Sequence, residues 1–535
     1  MTGNTYIIAY DVGTTAVKTC LFLIDNTIRL IDCAGMAYPL RLLDRGGAEQ
    51  NPQDWWNAMC ITTKQVLTSS KVSPSDIRGI SFCSQMQGLV LVDQNGLPVR
   101  PAMSYMDQRA TEQLQEGLRY GLQIAGCNLP RLIKSLYITK AVAASVKDPV
   151  WKYKWVEQKE PGNFSRVHKW LDVKEYLLYQ CTGEFVMTTD SAYATLLYDT
   201  RKGHEGFSKS MCNMFGVKYE HMPRVIEASE QVGPLIPKAA LELGLKEGTP
   251  VFGGGGDASL IGIGAGAVKE GNTHIYCGTS GWVSTVVRKP MVDTSAMIAA
   301  VVGARRGFYN YFAELETAGK CLEWVKDHLA LDEIDIYLEK RNVTEAHEAI
   351  YTSLYDYMMH TINQIPAGSH GVIFTPWLHG NRCPFEDPSA RGMFFNISLD
   401  TGKTHLIRSV LEGVCYHMRW MLEAEDHKIT TSSTIRFVGG GALSLLTCQI
   451  LADITNRTIE TVPNPQNVGS VGAAIVAAVG LGMIQSLEQA NELIIVSEAF
   501  TPNPLHRSIY DKGYQVFCRL YHSNKKNFKR LNKEL

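Results

Sequence analysis

Two stretches of this 535-residue chain, half a chain apart, carry the same pattern. YIIAYDVGTTAVKTCLFLID, residues 6–25, reads as a β-rich run, a Gly-Thr-Thr turn and a second β-rich run; HIYCGTSGWVSTVV, residues 274–287, repeats that reading around Gly-Thr-Ser. Each is a hairpin with Gly-Thr at its turn, and the two glycines, Gly13 and Gly278, stand 265 positions apart. A unit that recurs at half the chain length predicts two copies of one fold. The length is compatible with this, since such a chain can build two or three domains, each with its own core.

The segments between the hairpins alternate strand and helix signals. Asn51-Pro52-Gln53-Asp54 before Trp55-Trp56 predicts a helix start, with Asn51 as cap, Pro52 in the first turn and Asp54 reaching back as in a capping box. Ile77 to Ser81 and Leu89 to Asp93 are short β-rich runs around FCSQMQG, residues 82–88, and DQNG, residues 93–96, is a turn signal. Leu406 to Ala424 reads as a buried helix. Thr434 to Val438 reads as a strand ending in Gly439-Gly440-Gly441-Ala442, with a helix over 445–454 behind it. This alternation favours mixed sheets covered by helices. The last 30 residues are rich in Lys and Arg and predict a solvated helix end that frays over Asn524 to Lys533.

Composition narrows the function classes. A formal net charge of −1 argues against a nucleic-acid partner, because phosphate backbones demand concentrated positive surface. The start, MTGNTYIIAYDVG, lacks the flank and cleavage site of a secretory signal. The apolar stretch Val471 to Ile484 is too short and glycine-rich for a bilayer span, which needs roughly 20 residues. The expectation is a cytoplasmic protein with no membrane partner. Thirteen cysteines with no Cys-x-x-Cys pair fit reduced thiols rather than a disulfide framework or a zinc site.

FGGGGDASLIGIGAG, residues 252–266, places Asp257 directly after four glycines. A tight strand-to-helix connection accounts for a glycine run; a site where a ligand approaches backbone and carboxylate together accounts for the Asp as well. No G-x-x-x-x-G-K-[ST] is present, so a P-loop is unsupported. The Gly439 loop, with Glu460 about 20 residues on, has features of a dinucleotide-binding turn. Ser444 at the third glycine position weakens that reading, which also leaves Asp11, Asp257 and both Gly-Thr hairpins without a role.

The motifs together resemble the FGGY family of carbohydrate kinases, within the superfamily of sugar kinases, heat-shock chaperone ATPases and actin. The resemblance rests on YDVGTT (10–15), SQMQGLVLVDQNGLPVRPAMSYMDQRA (84–110), FGGGGDASLIGIGAG, YCGTSG (276–281), NRCPFEDPSARG (381–392), FVGGGALSLLTCQILAD (437–453) and GSVGAAIVAA (469–478). They follow family order, and the 84–110 and 381–392 blocks look most like the xylulose-kinase branch. The resemblance implies an α/β chain of two ribonuclease H-like domains, each a mixed five-stranded sheet flanked by helices, divided as 1–252 on the sugar side and 253–535 on the ATP side, with a cleft between. It also implies dimers or tetramers, a homodimer among them, although the sequence carries no interface signature.

Roles follow from the resemblance and from side-chain chemistry. Asp257 is the general base, since transfer of the ATP γ-phosphoryl group to a sugar hydroxyl benefits from a carboxylate accepting the proton. Gly13, Thr14 and Thr15 on one hairpin, and Gly278, Thr279 and Ser280 on the other, offer N–H groups and hydroxyls to the phosphate chain. Asp11 suits Mg²⁺. Gly440, Gly441 and Ala442 would lie against adenine and ribose. Gln85, Met86 and Gln87 align with the sugar-contacting loop, where an amide can both donate and accept. The xylulose-kinase-like loop makes D-xylulose the first candidate among ketopentoses, with other ketoses or polyols as the alternative; against it, xylulose kinases usually carry His in place of Gln87, Asn in place of Ala258, and Trp-Asn in place of Tyr105-Met106, departures that bear on the choice of sugar and not on phosphoryl transfer. Asp107 and Arg109 read as a brace for the sugar loop or as a surface ion pair, and Asn381-Arg382 as structural. Two rival classes are a non-catalytic sensor on the same fold, which would have lost Asp11 or Asp257, and a chaperone- or actin-like ATPase module, which leaves the 84–110 match unexplained.

Overall fold

The computed structural model describes residues 5–329 and 354–532. β1 (Thr5–Val12) pairs antiparallel with β2 (Ala16–Ile24), which pairs antiparallel with β3 (Ile28–Ala37). On its other side β1 runs parallel to β4 (Ile77–Ser84). β4 in turn pairs with β6 (Pro250–Phe252) and β7 (Gly255–Gly256), and β5 (Gln231–Pro234) closes the edge beyond β6. In the second half β8 (Thr273–Cys277) pairs antiparallel with β9 (Gly281–Val287) and parallel with β13 (Thr434–Val438). β9 pairs antiparallel with β12 (Tyr309–Leu315), and β13 runs parallel to β14 (Thr458–Thr461).

The paths β6-β4-β1-β2-β3 and β14-β13-β8-β9-β12 therefore correspond strand by strand, directions included. The repeated hairpin marks a duplicated fold. Each sheet grows beyond the five expected strands: the first has seven, and the second has eight, through β10 (Val292–Asp293) and β11 (Ile298–Val302) at one edge and β15 (Glu498–Phe500) at the other.

Both faces of each sheet are covered, which explains why the β1 run is nearly all apolar instead of alternating. Ile8, Tyr10 and Val12 pack with Trp55, Trp56 and Met59 of α1 (Pro52–Ser70) and with Tyr176 and Leu177, while Ile7 and Ala9 face the opposite way. There they meet α4 (Asp257–Gly264) and α7 (Val468–Gly480) in a cluster that also takes in Trp282 of β9 and Val438 of β13. The two helices thus lie between the sheets, and they touch through backbone. A Cβ on Gly264 would stand 1.9 Å from Val468 O, and one on Gly472 would stand 2.2 Å from Leu260 O. The far face of the second sheet carries α5 (Lys403–Asp426), α6 (Leu445–Thr455) and α8 (Arg507–Asn532). Two further helices of the first half, α2 (Pro149–Lys159) and α3 (Val173–Thr182), back the loop after β4.

Most local expectations hold, with corrections. Asn51 caps α1, its side chain accepting from Gln53 N at 3.2 Å; Asp54 forms no capping box, its carboxylate instead accepting from the Asn51 side-chain amide at 3.3 Å. β4 runs three residues past Ser81, so Phe82 and Cys83 are strand and the loop shrinks to Gln85–Gly88. Glu460 pairs with Arg436 of the neighbouring parallel strand at 3.1 Å, which gives it a structural partner in place of a ribose. The Val471 to Ile484 stretch is largely α7, apolar because it is buried between sheets; among the described residues no helix is long and apolar enough to cross a membrane. α8 stays helical to Asn532, and Lys533 lies outside the described residues. All thirteen cysteines are free thiols.

Candidate active site

The register of the first sheet brings three loops to one end. Val12 at the end of β1 lies beside Ser84 at the end of β4, where Gln85 N donates to Val12 O at 2.9 Å. Gly256 of β7 lies on the other side of Ser84. The Gly13 turn, the Gln85–Gly88 loop and Asp257 therefore emerge together at the carboxyl ends of parallel strands, where open α/β sheets bind ligands.

Close approach explains the glycines before Asp257. Gly254 has φ 69°, and a Cβ there would sit 2.1 Å from Phe82 O; a Cβ on Gly256 would sit 2.1 Å from Met86 Sδ. The Gly256 N–H donates to the buried Asp190 Oδ2 at 2.7 Å. Asp257 starts α4, half-buried, with Oδ1 accepting from Ala258 N at 2.7 Å. Loss of water pushes its carboxyl up to about 7, and the charges of Asp11, Glu314 and Asp190 push the same way.

Asp11 sits on β1 opposite Lys18 of β2. Burial raises its carboxyl and Lys18 opposes the shift. The Asp11 carboxylate receives no hydrogen bond among the described residues, so its oxygens are open to a hard cation that keeps several waters. At the turn Gly13 N donates to Ala16 O at 2.9 Å, while the N–H groups of Thr14 and Thr15 meet no acceptor among the described residues.

Gln85 is buried and tied back to that turn. Its Nε2 donates to Gln50 Oε1 at 2.9 Å, and Gln50 Nε2 donates to Thr14 O at 2.8 Å. Gln85 Oε1 is buried without a partner. Met86 and Gln87 are half-buried, and Gln87 has φ 62°. Asp107 and Arg109 are not a surface pair: Asp107 is fully buried, accepts from Ala48 N at 2.9 Å and pairs with Arg109, which also pairs with Glu49 at 2.6 Å and lies over Trp155. Asn381 is structural, its amide donating to Cys383 O and Phe385 O, whereas Arg382 pairs at 2.7 Å with Glu314, one of the carboxylates acting on Asp257.

The second sheet repeats the arrangement. Gly278 N donates to Ser280 O at 2.9 Å, and Thr279 stands exposed at the tip, its carbonyl accepting from Ala318 N and Lys320 N, both at 3.1 Å. Gly439, at φ 90°, packs on Cys277, where a Cβ would come 2.6 Å from the carbonyl oxygen. Gly440 is exposed with nothing within 4 Å of a built Cβ, Gly441 abuts Cys277 and Ala442 is buried. Leu443 and Leu445 beside them are 60% and 58% exposed. The halves meet where Lys18 Nζ donates to Gln466 O at 3.2 Å and Asn310 Nδ2 donates to Ala258 O at 3.0 Å.

Sequence reasoning missed Gln50, Lys152, Asp172, Asp190 and Glu314. Asp172 before an apolar run is an N-cap signal, and its side chain does accept from Val173 N, but nothing local shows that it also reaches the Gln85–Gly88 loop.

Comparison with known proteins agrees with this geometry. The N-terminal domain of the FGGY family of carbohydrate kinases matches residues 6–264 and the C-terminal domain matches 274–481. The chain is 29% identical over 520 residues to a xylulose kinase of Bacillus subtilis (strain 168), covering 96% of each chain, and 26% identical over 506 residues to a gluconokinase of the same strain, covering 93% of this chain and 92% of that one. The fold superposes on the crystal structure of gluconate kinase from Lactobacillus acidophilus with a TM-score of 0.83 at 24% identity, covering 99% and 100% of the two chains. With both domains matched in order on the duplicated sheets, the chain belongs to the FGGY family of carbohydrate kinases.

Proposed function

We propose that the protein transfers the γ-phosphoryl group of ATP to a hydroxyl of a neutral ketopentose, D-xylulose being the first candidate, with Asp257 accepting the hydroxyl proton as the new O–P bond forms. The observation that carries this reading is the Asp257 carboxyl, raised to about 7 and emerging beside the Gln85–Gly88 loop. A base poised near working pH is effective at drawing a proton from a weakly nucleophilic hydroxyl. Gln85 Oε1, buried and unpartnered, is an acceptor for a sugar hydroxyl, with Met86 and Gln87 completing the pocket wall.

The turns at Gly13-Thr14-Thr15 and Gly278-Thr279 hold the phosphate chain from two sides. The Gly440–Ala442 turn takes the nucleoside, where Gly440 leaves room and Leu443 and Leu445 offer apolar surface to a base. Asp11 would hold Mg²⁺, which would neutralise phosphate charge.

A second reading, D-gluconate as acceptor, is favoured by the gluconokinase relative. An aldonate carboxylate calls for an uncommitted cation, and three cations of this region are engaged already: Lys152 by two carbonyls, Arg109 by Asp107 and Glu49, Arg382 by Glu314. That supports a neutral acceptor. The test is coupled ADP release with D-xylulose, other ketopentoses, ketohexoses, polyols, D-gluconate and glycerol. A ketopentose is expected to give the highest kcat/KM. A tenfold preference for gluconate or glycerol, about 1.4 kcal/mol at the transition state, would overturn the assignment.

A further inference from the structure

The peptide joining Gln87 to Gly88 is gripped at both ends by buried charges. Lys152 of α2 is 0% exposed, and its Nζ donates to Gln87 O at 2.6 Å and to Ser104 O at 3.0 Å. Asp172, the cap of α3 and 5% exposed, accepts from Gly88 N at 2.9 Å. The Lys152 amine donating to the carbonyl and an Asp172 oxygen accepting from the N–H match the peptide dipole and set the orientation of its plane. The orientation of that plane is the ψ of Gln87, whose φ is 62°, in the left-handed region that non-glycine residues rarely occupy unless surrounding structure imposes it. Gly88 completes the fit, because a Cβ there would lie 2.6 Å from Asp172 Oδ1.

Core packing alone does not call for these two residues. A buried lysine whose hydrogen bonds go to carbonyls, and a buried aspartate near it, are costly to desolvate, and apolar side chains of similar size fill such sites more easily. We infer that Lys152 and Asp172 are positioning residues that clamp the Gln87–Gly88 peptide, aim the Gln87 side chain into the acceptor pocket and so set which sugar the enzyme accepts. The inference rests on the sugar-kinase reading above and deepens it.

The test compares the wild type with Lys152→Met, Asp172→Leu and Asp172→Asn in full-length protein, assaying D-xylulose, D-gluconate and glycerol against ATP, with amide exchange of the segment 84–90 measured without ligand. Lys152→Met and Asp172→Leu are expected to raise KM for the best acceptor tenfold or more, to alter the ratios among acceptors, to leave KM for ATP within twofold, and to speed exchange at Gly88. Asp172→Asn keeps an acceptor for the Gly88 N–H and is expected to hold KM within threefold; it also decides the matter if the other two do not fold, since a tenfold rise there would mean that the contact is not what matters. Unchanged Gly88 exchange, or equal loss towards every acceptor and ATP, overturns the clamp. A wild type that phosphorylates none of the acceptors refutes the kinase reading, and the specificity role with it, an outcome distinct from an active wild type with unaffected variants.

Discussion

Asp257 differs from an ordinary surface aspartate in when it lets go of its proton. Burial raises its carboxyl from 3.8 towards about 7, and the neighbouring carboxylates add to the shift. Replacement by Asn keeps the shape and removes the base, so Asp257→Asn is expected to bind ATP and sugar much as before and to lose roughly 10²-fold or more in kcat; a folded variant with near-normal turnover would remove Asp257 from the mechanism. The sign of the pH effect follows from the role. A base works deprotonated, so kcat/KM should fall as pH drops through its raised value, with an acid limb between the ordinary carboxylate value and about 7; a cation held at Asp11, as proposed, would draw the limb towards the lower end. Asp257 was legible because four glycines precede it, whereas Lys152 and Asp172 were not. They lie 65 and 84 positions from the residues they hold, and only burial reveals that one peptide lies between two charges.

The strand-to-helix turn at Gly439–Ala442 combines packing glycines with one that touches nothing. Gly439 occupies φ 90°, ψ −177°, a region essentially reserved for glycine, and abuts Cys277 O. Gly439→Ala is therefore expected to lower unfolding free energy by about 1–3 kcal/mol, read from urea denaturation. Gly440→Ala meets open space and should leave stability unchanged while raising KM for ATP. Equal stability loss for both variants would mean that the turn serves packing only, without a nucleotide against Gly440. At this scale local patterns were informative, as the strand over 434–438 and the helix behind it show. The failures came where a partner element decided the outcome. β4 extends to Ser84 because β1 and β7 continue alongside it, and that continuation places the Gln85–Gly88 loop.

The two halves share a middle layer. α4 and α7 lie between the sheets, joined by backbone contact at Gly264 and Gly472, while bridges such as Lys18 to Gln466 and Arg306 to Glu227, the latter at 2.9 Å, cross towards the rims. The Gln85–Gly88 loop and Asp11 belong to the first sheet, and the Gly278 and Gly440 turns to the second, so the proposed chemistry requires the two ends to approach. Closure would exclude water from the γ-phosphate, with a bound sugar favouring the closed form. ATP hydrolysis without sugar should be slow, and small-angle scattering should show a smaller radius of gyration with sugar plus a non-hydrolysable nucleotide than with neither. An unchanged radius at saturating ligand, with fast sugar-independent hydrolysis, would sink the closure scheme.

Residues 6–25 and 274–287 announced the duplication from sequence because a hairpin is a local object: two β-rich runs and a Gly-Thr turn are written in consecutive positions. Asp11, Asp257 and the glycine turns were legible for the same reason, each being carried by a short motif. The extension of the sheets to seven and eight strands, the burial of α7 between them, the ties of Asp107 and Arg109 to Ala48 and Glu49, and the groups on either side of the Gln87–Gly88 peptide all depend on segments far apart in the chain. Desolvation and hydrogen-bond partners are properties of a neighbourhood, and a neighbourhood exists only once the chain has folded.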